Sequence, residues 1–163
     1  MPVLVLLQRW VLGPSDSISL ARSFAYAYGL VNVALAAIPE DQRIPRPLII
    51  SAPEYPATRV AHVIADTLIS EIAMCEALAE AIDRQLLDQF ADRCLANHRP
   101  VIIVSHGPTI KEFVAAIIAR SGRPYRNDLI GELPRDKGVV IDTDTLTVSL
   151  INTRIDPFGN QGG

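Results

Sequence analysis

Apolar positions along the chain fall into two patterns. Val3 to Arg9, Leu48-Ile49-Ile50-Ser51 and Val101-Ile102-Ile103-Val104 are near-continuous apolar runs, as expected of strands covered on both faces. Between them, apolar residues recur at helical spacing. One helix is predicted from about Ile18 to Ile38, a second from Ala57 to Leu68 and a third from about Met74 to Asn97. The third carries the stripe Leu78, Ile82, Leu86, Phe90, Cys94 and Leu95. After Pro108, Ile110, Phe113, Val114, Ile117 and Ile118 mark a fourth, with Lys111, Glu112 and Arg120 on its solvent side. Gly138 to Asp142 and Thr145 to Asn152 read as a closing hairpin, turned at Asp142 to Asp144.

Gly13-Pro14-Ser15-Asp16, Pro39 to Pro47 and Ser121 to Lys137 carry turn and loop residues. Strand and helix alternate and a hairpin follows. This order predicts an α/β three-layer sandwich, its mostly parallel central sheet flanked by helices. Residues 1–155 are expected to form one domain, with 156–163 as a flexible tail. The first helix is apolar almost all round, so it is either deeply packed or meets a second copy in a homodimer.

Composition narrows the function classes. With 49% hydrophobic and 20% charged residues among 163, the chain is globular. A net charge of −3 argues against nucleic acid or an anionic membrane as partner. Ser23 to Ile38 is uncharged, but it is shorter than a usual span and holds Gly29 and Asn32, so it reads as a buried helix. The apolar start, Val3 to Leu7, has no basic leader and reads as a strand, not a signal peptide. Cys75 and Cys94 have no metal-type spacing and read as reduced thiols of a cytoplasmic protein. Three scattered histidines give no metal site, and no phosphate loop, dinucleotide fingerprint or nucleophile elbow is present. No cofactor is expected.

Chemistry concentrates where the third strand meets its helix, in Ser105-His106-Gly107-Pro108. Backbone N–H groups at a helix start favour an anion, and a histidine there adds a donor. The carboxyl ends of parallel strands are where open α/β sheets bind ligands. The expected cleft therefore gathers Arg9–Trp10, Ser51–Pro56 and Ser105–Pro108.

These segments resemble the three signatures of the histidine phosphatase superfamily, the phosphoglycerate mutase-like fold. The short, lid-less branch typified by SixA phosphohistidine phosphatases is similar in length and layout. That family opens with a strand ending in Arg-His-Gly. A strand and a Ser-Pro-x-x-Arg-Ala-x-x-Thr-Ala helix follow, and then a strand ending in Ser-His-Gly or Gly-His-Asn-Pro. The counterparts are Leu7-Gln8-Arg9-Trp10-Val11, Ser51-Ala52-Pro53-Glu54-Tyr55-Pro56-Ala57 with Val60-Ala61, and Ser105-His106-Gly107-Pro108. The resemblance spans nearly the whole chain and implies phosphatase ancestry.

The departures fall on the chemistry. The family's phosphorylated histidine matches Trp10, whose indole nitrogen donates only and cannot attack phosphorus. Its second phosphate-binding arginine matches Pro56. Arg9 and His106 match the first arginine and second histidine. Arg9 would hold an anion by a bidentate contact, or reach solvent from its strand end. Trp10 either fills the old pocket or stacks on a ligand in a repurposed cleft. His106 either orients or protonates an anionic ligand, or is a relic bonded to backbone.

Arg59 lies one turn beyond Pro56 and can lean back to replace the lost arginine, or stay solvated. His62 could join it or be partly buried scaffold. Glu71 and Glu76 fall where the family often supplies an acidic general acid; with Glu80 they read equally as the solvated face of a helix. His98 reads as structural.

The resulting expectation is a histidine-phosphatase-like protein without phosphohistidine catalysis, which binds a phosphate-like or other anionic small molecule or a protein partner. The alternatives are an enzyme with a repurposed cleft, or residual phosphatase activity.

Overall fold

A computed structural model of the chain describes residues 3–8, 17–43, 46–55, 57–122, 133 and 137–153, with side chains of the first helix described from residue 27. Within these residues six strands form one sheet in the order β3-β2-β4-β1-β5-β6. The strands are β1 (Val3–Gln8), β2 (Leu48–Ser51), β3 (Ile72–Met74), β4 (Val101–Ser105), β5 (Lys137–Asp142) and β6 (Thr147–Asn152). The helices are α1 (Ser17–Ala37), α2 (Ala57–Leu68), α3 (Arg84–Ala96) and α4 (Gly107–Ala119). β1, β2, β3 and β4 run parallel, and β5 and β6 add an antiparallel hairpin against β1. The expected mixed α/β architecture is the one observed.

Every residue of β1 and of β4 is buried, so their unbroken apolar runs follow from cover on both faces. The crossovers after β1 and β2 run toward one sheet edge and the crossover after β3 runs back. Right-handed connections therefore put α1 and α2 on one face and α3 on the other. α1 packs on α2, and α4 packs on α3, which completes three layers. Phe113 of α4 is fully buried and meets Phe90 of α3 at 5.5 Å between ring centroids.

The third predicted helix needs correction. Met74 to Asp83 is not α-helical: Met74 ends a short edge strand, Ile72–Met74, and Glu76–Leu78 is a single 3-10 turn. The helix begins only at Arg84, after Asp83 caps it by accepting from the N–H groups of Gln85 and Leu86. Its buried face is Leu87, Phe90, Ala91 and Cys94, whereas Ile82 and Leu86 are exposed.

The closing hairpin is present, but its turn spans residues 143–146, so Thr145 and Leu146 belong to the turn and the second strand starts at Thr147. Asp142 Oδ1 accepts from the N–H groups of Asp144 and Thr145, an Asx turn, and Leu146 takes a positive φ of 52°. The proline-rich stretch after α1 contains a 3-10 turn at Glu40–Gln42. On α1, Tyr28, Asn32 and Ala36 form an exposed uncharged stripe, and Leu30, Val31 and Ala34 are buried. Among the described residues no helix is long and apolar enough to cross a membrane. The turn Gly13 to Asp16, most of the loop between Ser121 and Lys137, and the tail 156–163 lie outside the described residues.

Candidate functional site

Register fixes which residues meet at the carboxyl end of the sheet. Gln8 at the end of β1 lies opposite Ser105 at the end of β4, and Ser51 at the end of β2 lies opposite Val104. The Ala52 N–H continues this pairing to the Val104 carbonyl at 2.9 Å. His106 therefore leaves the sheet between the ends of β1 and β2.

His106 is the N-cap residue of α4, in extended backbone conformation (φ −89°, ψ 146°). Its own carbonyl accepts the Ile110 N–H at 2.9 Å, and Pro108 fills a first-turn position that needs no donor. The side chain does not cap the helix. It is 3% exposed, and its Nε2 lies 3.0 Å from Oε2 of Glu54. Nδ1 is buried and has no hydrogen-bond partner among the described residues.

Glu54 was missed by sequence reasoning. It lies in the loop between β2 and α2, inside a segment the sequence did assign to the cleft. There it reads as part of a strand-breaking stretch, and its pairing depends on a loop path that no spacing encodes. Its other oxygen, Oε1, accepts the Glu80 backbone N–H at 2.9 Å. Partial burial pushes the Glu54 carboxyl up. The Glu80 N–H and the His106 hydrogen bond outweigh that, so the net shift is below the ordinary 4.5.

The end of the 3-10 turn and the two residues after it are laced to the site by three side chains. Ser105 Oγ donates to the Leu78 carbonyl at 2.8 Å, and Thr109 Oγ1 donates to the Ala79 carbonyl at 3.0 Å. Glu54 holds the N–H of Glu80 that follows. Residues 78–80 thus form a wall beside His106, fixed from β4, from α4 and from the loop after β2.

Gln8 closes the other side. Its Nε2 donates to the Lys137 carbonyl at 2.8 Å, and its Oε1 lies so near Gly107 that a Cβ there would come within 2.8 Å.

The other candidates sort by position. The Arg59 guanidinium carbon sits 5.3 Å from the centroid of the Tyr55 ring, leaning toward the N-terminus of α2 as helical side chains do. Glu76 and Glu80 are exposed near the cleft, outside any α-helix. Glu71 is exposed just before β3 and pairs with Arg99 just before β4 at 3.8 Å. That is the amino end of the strands, away from the cleft, so Glu71 cannot serve there as general acid. His98 lies at that same end, exposed, and His62 is exposed on α2 rather than partly buried. Arg9, Trp10 and Pro56 lie outside the described residues. No cluster of potential metal ligands occurs among the described residues.

No family model matches the sequence, and no curated protein matches it. Solved structures do. Mycobacterial glucosyl-3-phosphoglycerate phosphatase superposes with a TM-score of 0.64 at 14% identity, over 93% of this chain and 98% of its own. Phosphoglycerate mutase from Plasmodium falciparum gives 0.59 at 10% identity, over 96% of this chain and 91% of its own. A protein assigned as the phosphohistidine phosphatase SixA of Agrobacterium tumefaciens gives 0.57 at 18% identity, over 92% and 96%. The chain has the phosphoglycerate mutase-like fold of histidine phosphatases, as its three motif-bearing segments imply. Identities this low carry the fold and leave the chemistry to the residues of this chain.

Proposed function

We propose that this protein has left phosphohistidine catalysis and keeps the strand-end cleft as a binding site for a phosphate-like anion. The carrying observation is that His106 Nε2 is engaged by Glu54 at 3.0 Å. A nucleophilic imidazole needs an accessible lone pair aimed at phosphorus. Here one ring nitrogen is held by a carboxylate and the other is enclosed. The remaining histidines stand elsewhere: His62 is on the solvent face midway along α2, and His98 lies at the amino end of the strands, away from the cleft. Trp10 at the position of the family's nucleophile supports the same reading from the sequence.

The anion would be drawn by the α4 N-terminus, His106 and, by resemblance, Arg9, with Arg59 at the rim. A free small molecule or a phosphorylated protein partner can carry it. A cytoplasmic setting, with both cysteines free, belongs to the same proposal. The His106–Glu54 pair also favours a second reading, acid–base catalysis in a repurposed cleft. The enclosed Nδ1 ranks that reading lower, because the nitrogen that would move a proton has no open path to substrate.

The test is turnover of a generic phosphomonoester by the wild-type chain, His106→Ala and Trp10→His. The expected result is no turnover by wild type beyond the His106→Ala background. Wild-type turnover that disappears in His106→Ala would establish a working phosphatase and end this proposal. A gain in Trp10→His would locate the lost nucleophile.

A further inference from the structure

One carboxylate in the cleft takes two N–H donors at once. Glu54 Oε1 accepts from the Glu80 backbone at 2.9 Å, and Oε2 meets His106 Nε2 at 3.0 Å. An imidazole N–H and a backbone N–H converging on one anionic group constitute an oxyanion-binding pair. Here the occupant is part of the chain itself.

The two donors are fixed and the occupant can move. His106 is 3% exposed and anchored as the N-cap of α4. The Glu80 N–H follows two carbonyls tied down by Ser105 and Thr109. The Glu54 side chain is 35% exposed and stands on a loop, so rotation about its own bonds can carry the carboxylate into solvent. The carboxylate does not fill the core, and its departure leaves two aligned donors.

We propose that Glu54 is an intramolecular competitor for this oxyanion site. In the latched state its carboxylate satisfies the His106 and Glu80 N–H groups and repels an incoming anion. An external oxyanion of phosphate type binds only when Glu54 has swung outward, and takes over the same two donors. The proposal rests on the reading of the cleft as an anion site and adds what controls it. The cost in affinity is the fraction of time the latch is open. A latch closed about nine-tenths of the time weakens apparent binding about tenfold.

The test uses the full chain and inorganic phosphate as probe. Affinity is measured by calorimetry, and the His106 ring nitrogens are followed by NMR. Glu54→Ala is expected to bind phosphate about tenfold more tightly than wild type, or better. Acetate, which replaces the deleted carboxylate, should also bind Glu54→Ala and shift the His106 signals. Adding His106→Ala to Glu54→Ala should abolish the gain.

Equal affinity in wild type and Glu54→Ala, lost in His106→Ala, would overturn the latch and leave the anion site standing. Absence of phosphate binding in both folded proteins would overturn the anion site, and the latch with it. Should Glu54→Ala fail to fold, Glu54→Gln carries the comparison, because it keeps the size and the acceptor for Glu80. A tighter phosphate affinity than wild type is expected there too, and an unchanged one overturns the latch.

Discussion

Glu54 Oε2 and His106 Nε2 lie 3.0 Å apart, and this contact dictates where the imidazole carries its proton. The carboxylate is an acceptor only, so Nε2 must donate, and a neutral ring holds its hydrogen on Nε2. The expected signature is a proton on Nε2 in a long-range nitrogen–proton spectrum. Glu54→Gln should weaken that preference.

Glu54 also sets a pH dependence, through the Glu80 N–H first and His106 second. The Glu54 carboxyl is held below its ordinary 4.5 in the folded protein. A depressed acid stabilises the fold fully above the unfolded value. That contribution fades as the pH falls below the unfolded value and is gone below the folded one. Wild type should therefore lose stability on acidification in that window more steeply than Glu54→Gln. Urea unfolding at a series of pH values measures this. Parallel acid limbs would show that the Glu54 carboxyl contributes no linkage.

Glycine is required at two places by close approach. A Cβ on Gly138 of β5 would sit 2.8 Å from the Leu6 carbonyl oxygen of β1, and 3.1 and 3.2 Å from side-chain carbons of Thr153 and Ile151. The obstacle is the backbone of a buried strand, so Gly138→Ala must push β5 off β1. About 1–3 kcal/mol of destabilisation is expected. At Gly107 the obstacle is the Gln8 amide oxygen, which can rotate away if Gln8 gives up its bond to the Lys137 carbonyl. Gly107→Ala should cost less, about 1 kcal/mol. Denaturant midpoints of the two variants give the order.

Most of the fold was legible because burial writes itself into the sequence. β1, β2 and β4 are covered on both faces and appear as unbroken apolar runs, while α2 and α4 show helical spacing. β3 was not legible. It is a three-residue edge strand, and its last two residues are exposed. The following Cys75-Glu-Ala-Leu-Ala-Glu-Ala-Ile82 is rich in helix formers, yet it does not form an α-helix. Ser105, Thr109 and Glu54 hold residues 78–80 by hydrogen bonds from distant segments, and propensity yields to those contacts. The site was half legible for the same reason. His106 is positioned by local sequence, at a strand-to-helix break. Its partner arrives from a loop 52 positions away.

Arg120 ties the end of α4 to α3. Its Nε donates to Asp92 at 2.6 Å, and its other nitrogens reach the carbonyls of Ala116 at 2.6 Å and Asp88 at 2.8 Å. The Asp92 hydrogen bond raises the guanidinium's already high value, and the same bond lowers the Asp92 carboxyl. The carbonyl bonds matter more than the ion pair, because Asp92 is solvent-exposed and surface pairs contribute little. Arg120→Ala should cost about 1–2 kcal/mol through the lost carbonyl bonds. Asp92→Asn should cost clearly less. Equal losses in thermal or urea unfolding would place the strength in the ion pair instead.

The two cysteines should differ sharply in reactivity. Cys94 is buried on the inner face of α3, and burial, aided by the nearby Cys75 and only partly offset by Arg93, pushes its thiol up to about 12. Only the thiolate attacks an alkylating agent. At pH 8 the ionised fraction of Cys94 is on the order of one in ten thousand, and its sulfur is enclosed as well. Cys75 stands half-buried between β3 and the 3-10 turn, open to reagent. Iodoacetamide should therefore add one equivalent to the native protein, at Cys75, and a second only in denaturant. Intact mass and peptide mapping read both sites. Prompt double labelling under native conditions would mean that α3 opens readily from the sheet, contrary to the packing of Phe90 on Phe113 above it.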